Sequence, residues 1–431
     1  MQRFRGSTSG DYGEAEPANH GVGLPKPSGG LFKTFESLRN SNYRWLWLSM
    51  LASFAGLHMQ MIARGWLVVE MTDSPLILGL VSSAFAIPLL IFSLFGGVIA
   101  DRLPKRNLLI FSQSSIFIIS LVIAILIHTE TIAVWHLVTA ALLLGAVFSF
   151  NMPARQAIIP ELVGEQSLMN AIALNSAAMN LTRVAAPALA GLLVGIVGVS
   201  GVYWIVTGCY VVSIGSLSMI RVTAKKAVKP STSMRKDLVA GLSFVRHNPT
   251  ILTLLTMAII PVVFGMSYQM LMPIFARNVL DVGASGYGAL MSAAGLGALI
   301  GSLGIASIGN FQRKGLLLLG FGLVFGVTLI LFSISSVFSL SLVILVGVGI
   351  GSTGYMALNN TLIQLKTPSE MRGRVMSLFM MTVGLVPLGT LPSGAIAEVT
   401  GVAPVVGVSG AILLVFMVVM ALTQPRVRKL T

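Results

Sequence analysis

Long apolar runs broken by short polar connections recur from Tyr43 almost to the end of the chain. They lie near 44–69, 75–100, 107–127, 132–154, 169–197 and 201–220, and again near 250–277, 285–309, 314–333, 338–360, 374–398 and 402–423. A bilayer core of about 30 Å takes roughly 20 apolar residues of helix, so each run is long enough to cross it. Twelve runs in two sets of six predict an all-α integral membrane protein made of two six-helix bundles. The expected divisions are a tail at 1–30, bundles at 31–220 and 250–423, a linker at 221–249 and a second tail at 424–431. A faint internal repeat supports two related halves. Asn170-Ala171-Ile172-Ala173-Leu174 and Arg374-Val375-Met376-Ser377-Leu378 hold equivalent places, each opening a long helix that contains Pro187 or Pro392.

Composition agrees with a lipid environment. Hydrophobic residues make up 55% of the 431, charged residues 10%, and mean hydropathy is +0.89. That leaves too little polar surface to coat a water-soluble globule. Gly, Ser, Pro, Asp and Glu dominate residues 1–30, which read as a disordered tail without a signal-peptide core.

The net charge of +14 would suggest nucleic acid, but its distribution gives another reason for it. Lys and Arg fall in every second connection. Arg39 and Arg44 precede the first span; Arg102, Lys105 and Arg106 follow the second; Arg155 follows the fourth; Arg221, Lys225, Lys226, Lys229, Arg235, Lys236 and Arg246 fill the linker. Arg313, Lys314, Lys366, Arg372, Arg374, Arg426, Arg428 and Lys429 continue the series, and the intervening connections hold Arg277 as their one basic residue. Positive-inside asymmetry then places both termini in the cytoplasm and makes the number of spans even. No nucleic-acid partner is expected. The stretch Arg235 to Arg246 is amphipathic and is expected to lie on the cytoplasmic membrane surface.

Gly97-Val98-Ile99-Ala100-Asp101-Arg102-Leu103-Pro104-Lys105-Arg106 closes the second span and fills the connection to the third. It resembles the loop signature of the major facilitator superfamily, G-x-x-x-D-R-x-G-R-R, with Pro104 at the second glycine and Lys105 at the first arginine. Further similarity lies in Asn151-Met152-Pro153-Ala154-Arg155, Pro160-Glu161-Leu162, Arg183-Val184-Ala185-Ala186-Pro187, Phe264-Gly265-Met266-Ser267-Tyr268 and Arg372-Gly373-Arg374-Val375-Met376-Ser377. Together these look like the bacterial branch that includes the enterobactin exporter and transmembrane-effector-type permeases. The resemblance implies that Asp101 faces the positive start of the eleventh helix beside Arg372 and Arg374, with Gly97, Arg102, Lys105 and Arg106 completing a conformational lock. The competing reading is an acid that merely solubilises a turn.

Antiporters of the superfamily often carry G-P-x-x-G-G in the fifth span, where this chain has Ala186-Pro187-Ala188-Leu189-Ala190-Gly191. Pro187 and Gly191 are candidate hinge residues, and ordinary small-residue packing is the other reading. Two arginines lie inside spans. Ser53, Gly56, Gln60 and Arg64 share one helical face, and Ser176, Asn180, Arg183 and Pro187 share another. Intramembrane charge costs about 2.5 to 3.5 kcal/mol on insertion scales and usually lines a cavity or finds a partner. Gln60, Arg64, Asn180 and Arg183, with Tyr268, Gln269 and Asn359 from the second half, are the substrate-cavity candidates. A structural reading stands beside this one: Arg183 caps carbonyls or pairs with Glu70. Met266, Met270, Met272, Met376, Met380 and Met381 suit an adaptable wall or plain packing.

The chain has no G-x-x-x-x-G-K-[ST] or H-E-x-x-H sequence, and it holds five scattered histidines and the single Cys209. No cofactor, metal site or enzymatic activity is expected. By elimination an ion gradient, expected to be a proton gradient, drives the protein, and Glu70, Asp101, Glu161 and Glu398 are candidate proton carriers. The sequence therefore predicts a secondary transporter, working as a monomer in the cell membrane. Its expected cargo is a small amphipathic neutral or anionic compound, exported by alternating access. Uptake or lipid flipping, and a non-transporting scaffold or sensor of the same fold, are the alternatives.

Overall fold

The computed structural model of the chain describes residues 36–221, 234–307, 312–428 and 430, and within these the side chains of 93–102, 165, 166, 234–238 and 383 are outside the description. The tail at 1–30 and linker residues 222–233 lie outside the described residues. Among the described residues, eleven helical stretches are long and apolar enough to span a membrane. One of them, Ser167–Ser218, has 52 residues and breaks at Gly198 (φ 70, ψ 174), a backbone conformation that a Cβ would strain. It is two spans, which makes twelve.

We number the spans α1 (Ser41–Thr72), α2 (Pro75–Arg102), α3 (Lys105–His128), α4 (Val134–Gly164), α5 (167–197) and α6 (199–218) in the first half. The second half has α7 (Pro249–Val279), α8 (Ala284–Ser307), α9 (Lys314–Ser333), α10 (Phe338–Lys366), α11 (Ser369–Thr400) and α12 (Val402–Thr423). Each set of six packs mainly within itself, giving two bundles. Asn40 starts α1 by accepting hydrogen bonds from the backbone N–H groups of Asn42 and Tyr43.

Several boundaries differ from the sequence expectation. The fourth span continues to Gly164 through Pro153 and Pro160, because packed membrane helices tolerate prolines whose freed backbone groups are satisfied locally. Arg155, expected in a loop, is therefore inside α4. In α7, π-helical turns begin at Pro261 and Phe275, and α11 loosens into a turn between Val383 and Pro387. The linker helix, Met234–His247, lies against the start of α11, where a Cβ at Gly241 would sit 3.3 Å from Cβ of Arg374. The C-terminal tail docks rather than trailing free. Pro425–Arg428 is a short helix, Val427 and Leu430 are buried, and the Gly315 N–H donates to the Leu430 carbonyl.

The two ends of the molecule differ in charge. Glu70, Asp73, Glu130, Asp281 and Glu398 gather at one end, and Lys105, Arg106, Arg221, Arg246, Arg313, Lys366, Arg372 and Arg374 at the other. The apolar core also differs between them. One continuous cluster joins both halves near the acidic end, through Trp66, Tyr203, Tyr268, Phe275 and Tyr287. Toward the basic end the core separates into two: Tyr43, Leu109, Ile158 and Leu217 belong to the first half, and Leu254, Tyr355, Leu362 and Phe379 to the second. The halves meet at the acidic end and part toward the basic end.

Candidate functional site

The seal at the acidic end forms where α5 crosses α8 and α2 crosses α11, on glycines that bring backbones together. A Cβ at Gly191 would lie 2.5 Å from the Ala284 carbonyl oxygen and 2.9 Å from the Gly288 Cα, and one at Gly295 would lie 2.7 Å from the Arg183 carbonyl oxygen. Across the other pair, a Cβ at Gly79 would lie 2.9 Å from the Thr390 carbonyl oxygen and one at Gly394 would lie 2.7 Å from that of Pro75. Ser285 Oγ donates to the Gly191 carbonyl at 3.2 Å, and the Ser83 and Thr390 hydroxyls share a buried hydrogen bond of 2.8 Å. The hinge candidates Pro187 and Gly191 thus sit in the seal itself, Pro187 lending its carbonyl to the contact with Gly288.

Helix termini strengthen this seal with charge. The Glu398 carboxylate at the end of α11 accepts from Ser74 Oγ (2.7 Å) and from the Leu76 N–H (3.1 Å), capping the start of α2. Arg277 donates from Nη1 to the Val69 carbonyl at 2.9 Å, near the end of α1, and Asn278 donates to the Asp73 carboxylate. Glu398 at the start of α2 and Arg277 at the end of α1 each put the favourable sign at a helix end. Glu70 accepts from Trp66 Nε1 at 2.7 Å, and the Trp66 ring lies nearly parallel to Tyr287 of the other half. Glu398→Gln removes a helix-terminal charge worth about 1 kcal/mol. Spin labels at Thr131 and Val399 should then report a separated acidic end about fivefold more often than in the wild type.

Behind the seal lie the two membrane arginines. Arg64 is eight residues, about 12 Å of helix, from the end of α1, and Arg183 is near the middle of α5. Both are half-buried. Arg64 is within electrostatic reach of Tyr203, Tyr210 and Tyr287, and Arg183 of His58 and Tyr268. Gln269 donates to the Tyr268 hydroxyl at 3.4 Å, so candidates from both halves converge here. Among the described residues neither guanidinium has an ionic or hydrogen-bonded partner. The pairing of Arg183 with Glu70 is not made, and no carbonyl is capped by Arg183. Toward the basic end α5 exposes Ala173, Ser176 and Ala177 as well as Ile172, so it borders a gap as well as lipid, and Asn180 on the same helix is half-buried.

Other candidates have different surroundings. Gln60 is buried inside the first bundle, where its Nε2 donates to Ser120 and its Oε1 accepts from Tyr210. The Ser53–Gly56–Gln60 part of the polar stripe therefore faces α3, α4 and α6, because Gly56 packs on Cys209 and Tyr210. Asn359 is fully buried within the second bundle and donates from Nδ2 to the Leu254 carbonyl at 3.1 Å. Replacing it with alanine should cost about 1 to 3 kcal/mol of stability, read as a lower unfolding temperature in detergent.

Of the lock residues, Gly97, Asp101 and Arg102 fall in the last turns of α2 with side chains outside the described residues, so the contact of Asp101 with α11 is outside them too. Lys105 pairs with Glu161, fixing the α2–α3 connection to α4. Arg106 donates to the Leu217 and Ser218 carbonyls at the end of α6. Arg372 is exposed, and Arg374 is half-buried with Nη1 at 3.4 Å from Met371 Sδ.

Two residues escaped the sequence reading. Arg155 is 5% exposed, its Nη2 donates to Ser53 Oγ at 3.0 Å, and its guanidinium lies 5.0 Å from the Phe54 ring centroid, while Nε and Nη1 are buried without a hydrogen-bond partner among the described residues. Its spacing of four from the buried Asn151 was the available signal. His58 faces the same region as Arg183, and its Nδ1 donates to the Phe54 carbonyl at 2.8 Å, since a carbonyl can only accept.

Two six-helix bundles, sealed at one end around a basic interior and parted at the other, define the major facilitator fold. The chain belongs to the transmembrane secretion effector family of that superfamily, whose model matches residues 32–430. It is 22% identical over 368 residues to the staphyloferrin A transporter of Staphylococcus aureus, covering 85% of this chain and 92% of that one. It is 26% identical over 392 residues to the multidrug efflux pump Tap of Mycolicibacterium fortuitum (88% and 95% covered), and 28% identical over 341 residues to the enterobactin exporter EntS of Shigella flexneri (78% and 80%). Among solved structures, a mutant form of the nucleoside transporter NupG superposes with a TM-score of 0.72 at 11% identity, covering 88% of this chain and 99% of that one, a likeness of fold. The protein is a multi-pass membrane transporter of the major facilitator type.

Proposed function

We propose that the protein exports a small amphipathic organic compound, anionic or neutral and siderophore- or drug-like, from the cytoplasm by alternating access. The observation that carries this reading is the pair Arg64 and Arg183, two guanidiniums without a partner among the described residues, behind a closed seal, in an interior with no mid-span acid among those residues. A cavity of positive charge attracts a carboxylate or another acidic group and repels cationic drugs. The names of two relatives, an efflux pump and an enterobactin exporter, support export, and the three names together support a siderophore- or drug-like cargo. In this reading the basic end faces the cytoplasm. The structure is then the inward-facing, resting form, and the Asp101 clasp on α11 closes the opposite form.

Vesicles with the basic end outward test the proposal. They should accumulate an anionic amphipathic dye added outside and leave its cationic analogue behind, and Arg183→Gln should erase the difference. Preferential accumulation of the cationic dye would overturn the assignment of cargo charge.

A further inference from the structure

The chain has fourteen acidic residues, and every one can be placed. Asp11, Glu14 and Glu16 precede the described residues, and Glu36 precedes α1. Glu70, Asp101, Glu161, Glu370 and Glu398 fall within the first or last four residues of a span, Asp73, Glu130, Glu165 and Asp281 in connections, and Asp237 in the linker helix. Among the described residues, the middle of the membrane holds no carboxylate. A coupling carboxylate must meet water on both sides in turn, yet Glu70 and Glu398 lie beyond the seal, Glu161 is paired with Lys105 at the opposite end, and Asp101 falls in the last turn of α2 at that same end.

What the interior does hold is fixed positive charge. While the cavity opens to the basic end, Arg64 and Arg183 sit at the electrical potential of that side; when the seal moves to the other end, they sit at the potential of the other side. Each reorientation of the empty protein thus carries two positive charges across the field without either side chain leaving its helix. A cell interior that is negative holds them inward, which is the form described here. An anionic cargo cancels part of that charge, so the loaded protein reorients under less electrical bias than the empty one.

We infer, resting on the exporter reading above, that the membrane potential drives the cycle through Arg64 and Arg183, in place of a proton passed to an acid. The loaded protein turns outward with less positive charge, the cargo leaves, and the potential pulls the fully charged, empty cavity back. The net event is one organic anion moved toward the positive side. Among the described residues the one histidine of the interior is His58 of α1, which faces Arg183 of α5, so a proton-coupled cycle would have to run through it.

The test uses the full chain in proteoliposomes, a carboxylated amphipathic dye, equal pH on both sides, and a tenfold potassium gradient clamped with valinomycin. The dye should gather on the positive side, approaching about tenfold per net negative charge, with protein-free liposomes showing none of this. His58→Gln, whatever its effect on rate, should still gather the dye on the positive side at equal pH, and Arg64→Gln with Arg183→Gln should flatten the dependence of rate on potential. Dye movement that ignores the potential, needs a pH gradient and vanishes in His58→Gln would overturn the inference and leave the exporter reading intact. Movement of a cationic or neutral analogue under these gradients, with none of the anionic dye, would overturn both.

Discussion

Leucine in place of Gly191 is expected to abolish transport while leaving the protein folded. The α5–α8 crossing is backbone against backbone, with the Gly288 Cα and the Ala284 carbonyl occupying the space a side chain would need. Overpacking of this kind typically costs about 1 to 3 kcal/mol, and here the far side is the other bundle, so the strain falls on the seal and not on either fold. Separated spin labels at the acidic end and a fall of tenfold or more in transport rate, with an unfolding temperature close to wild type, are the expected results. Transport within twofold of wild type would show that the crossing does not close the pathway.

Arg183→Gln should weaken binding of a carboxylated cargo by about 10- to 100-fold, the range of a charge-assisted hydrogen bond of about 1.5 to 3 kcal/mol. An uncharged analogue should lose less than about twofold, because glutamine keeps polar reach and gives up the charge. Arg183→Lys should fall between, as a point charge without the guanidinium fork. Equal losses for charged and uncharged cargo would identify Arg183 as a packing residue.

Much of the architecture was legible in the sequence because lipid imposes a simple rule: about twenty apolar residues per helix, with basic residues sorted to one side. That rule gave twelve spans, two halves and the charge difference between the ends. It did not reveal that α4 continues through Pro153 and Pro160, since proline ends helices in water and bends them in packed membrane interiors. Arg155 was misplaced for that reason, and a buried cation looked like a loop cation. Helical spacing correctly joined Ser53, Gly56 and Gln60 on one face but could not say what that face met. Packing decided it, by setting Tyr210 and Ser120 against Gln60. Glu398 illustrates a further limit: its partner is the start of α2, more than three hundred residues earlier in the chain, and only the assembled fold brings them together.

Arg64 and Arg183 were visible as intramembrane charges, and the structure adds that nothing among the described residues neutralises them. That makes the sign of the cargo's charge the central claim. Its most direct test is calorimetric binding of one amphipathic scaffold made as carboxylate, amide and amine to the purified protein and to Arg183→Gln. The carboxylate should bind the wild type at least tenfold more tightly than the amide, with the amine weakest, and the variant should bind all three alike. Tightest binding of the amine, or an order unchanged by the substitution, would contradict the account.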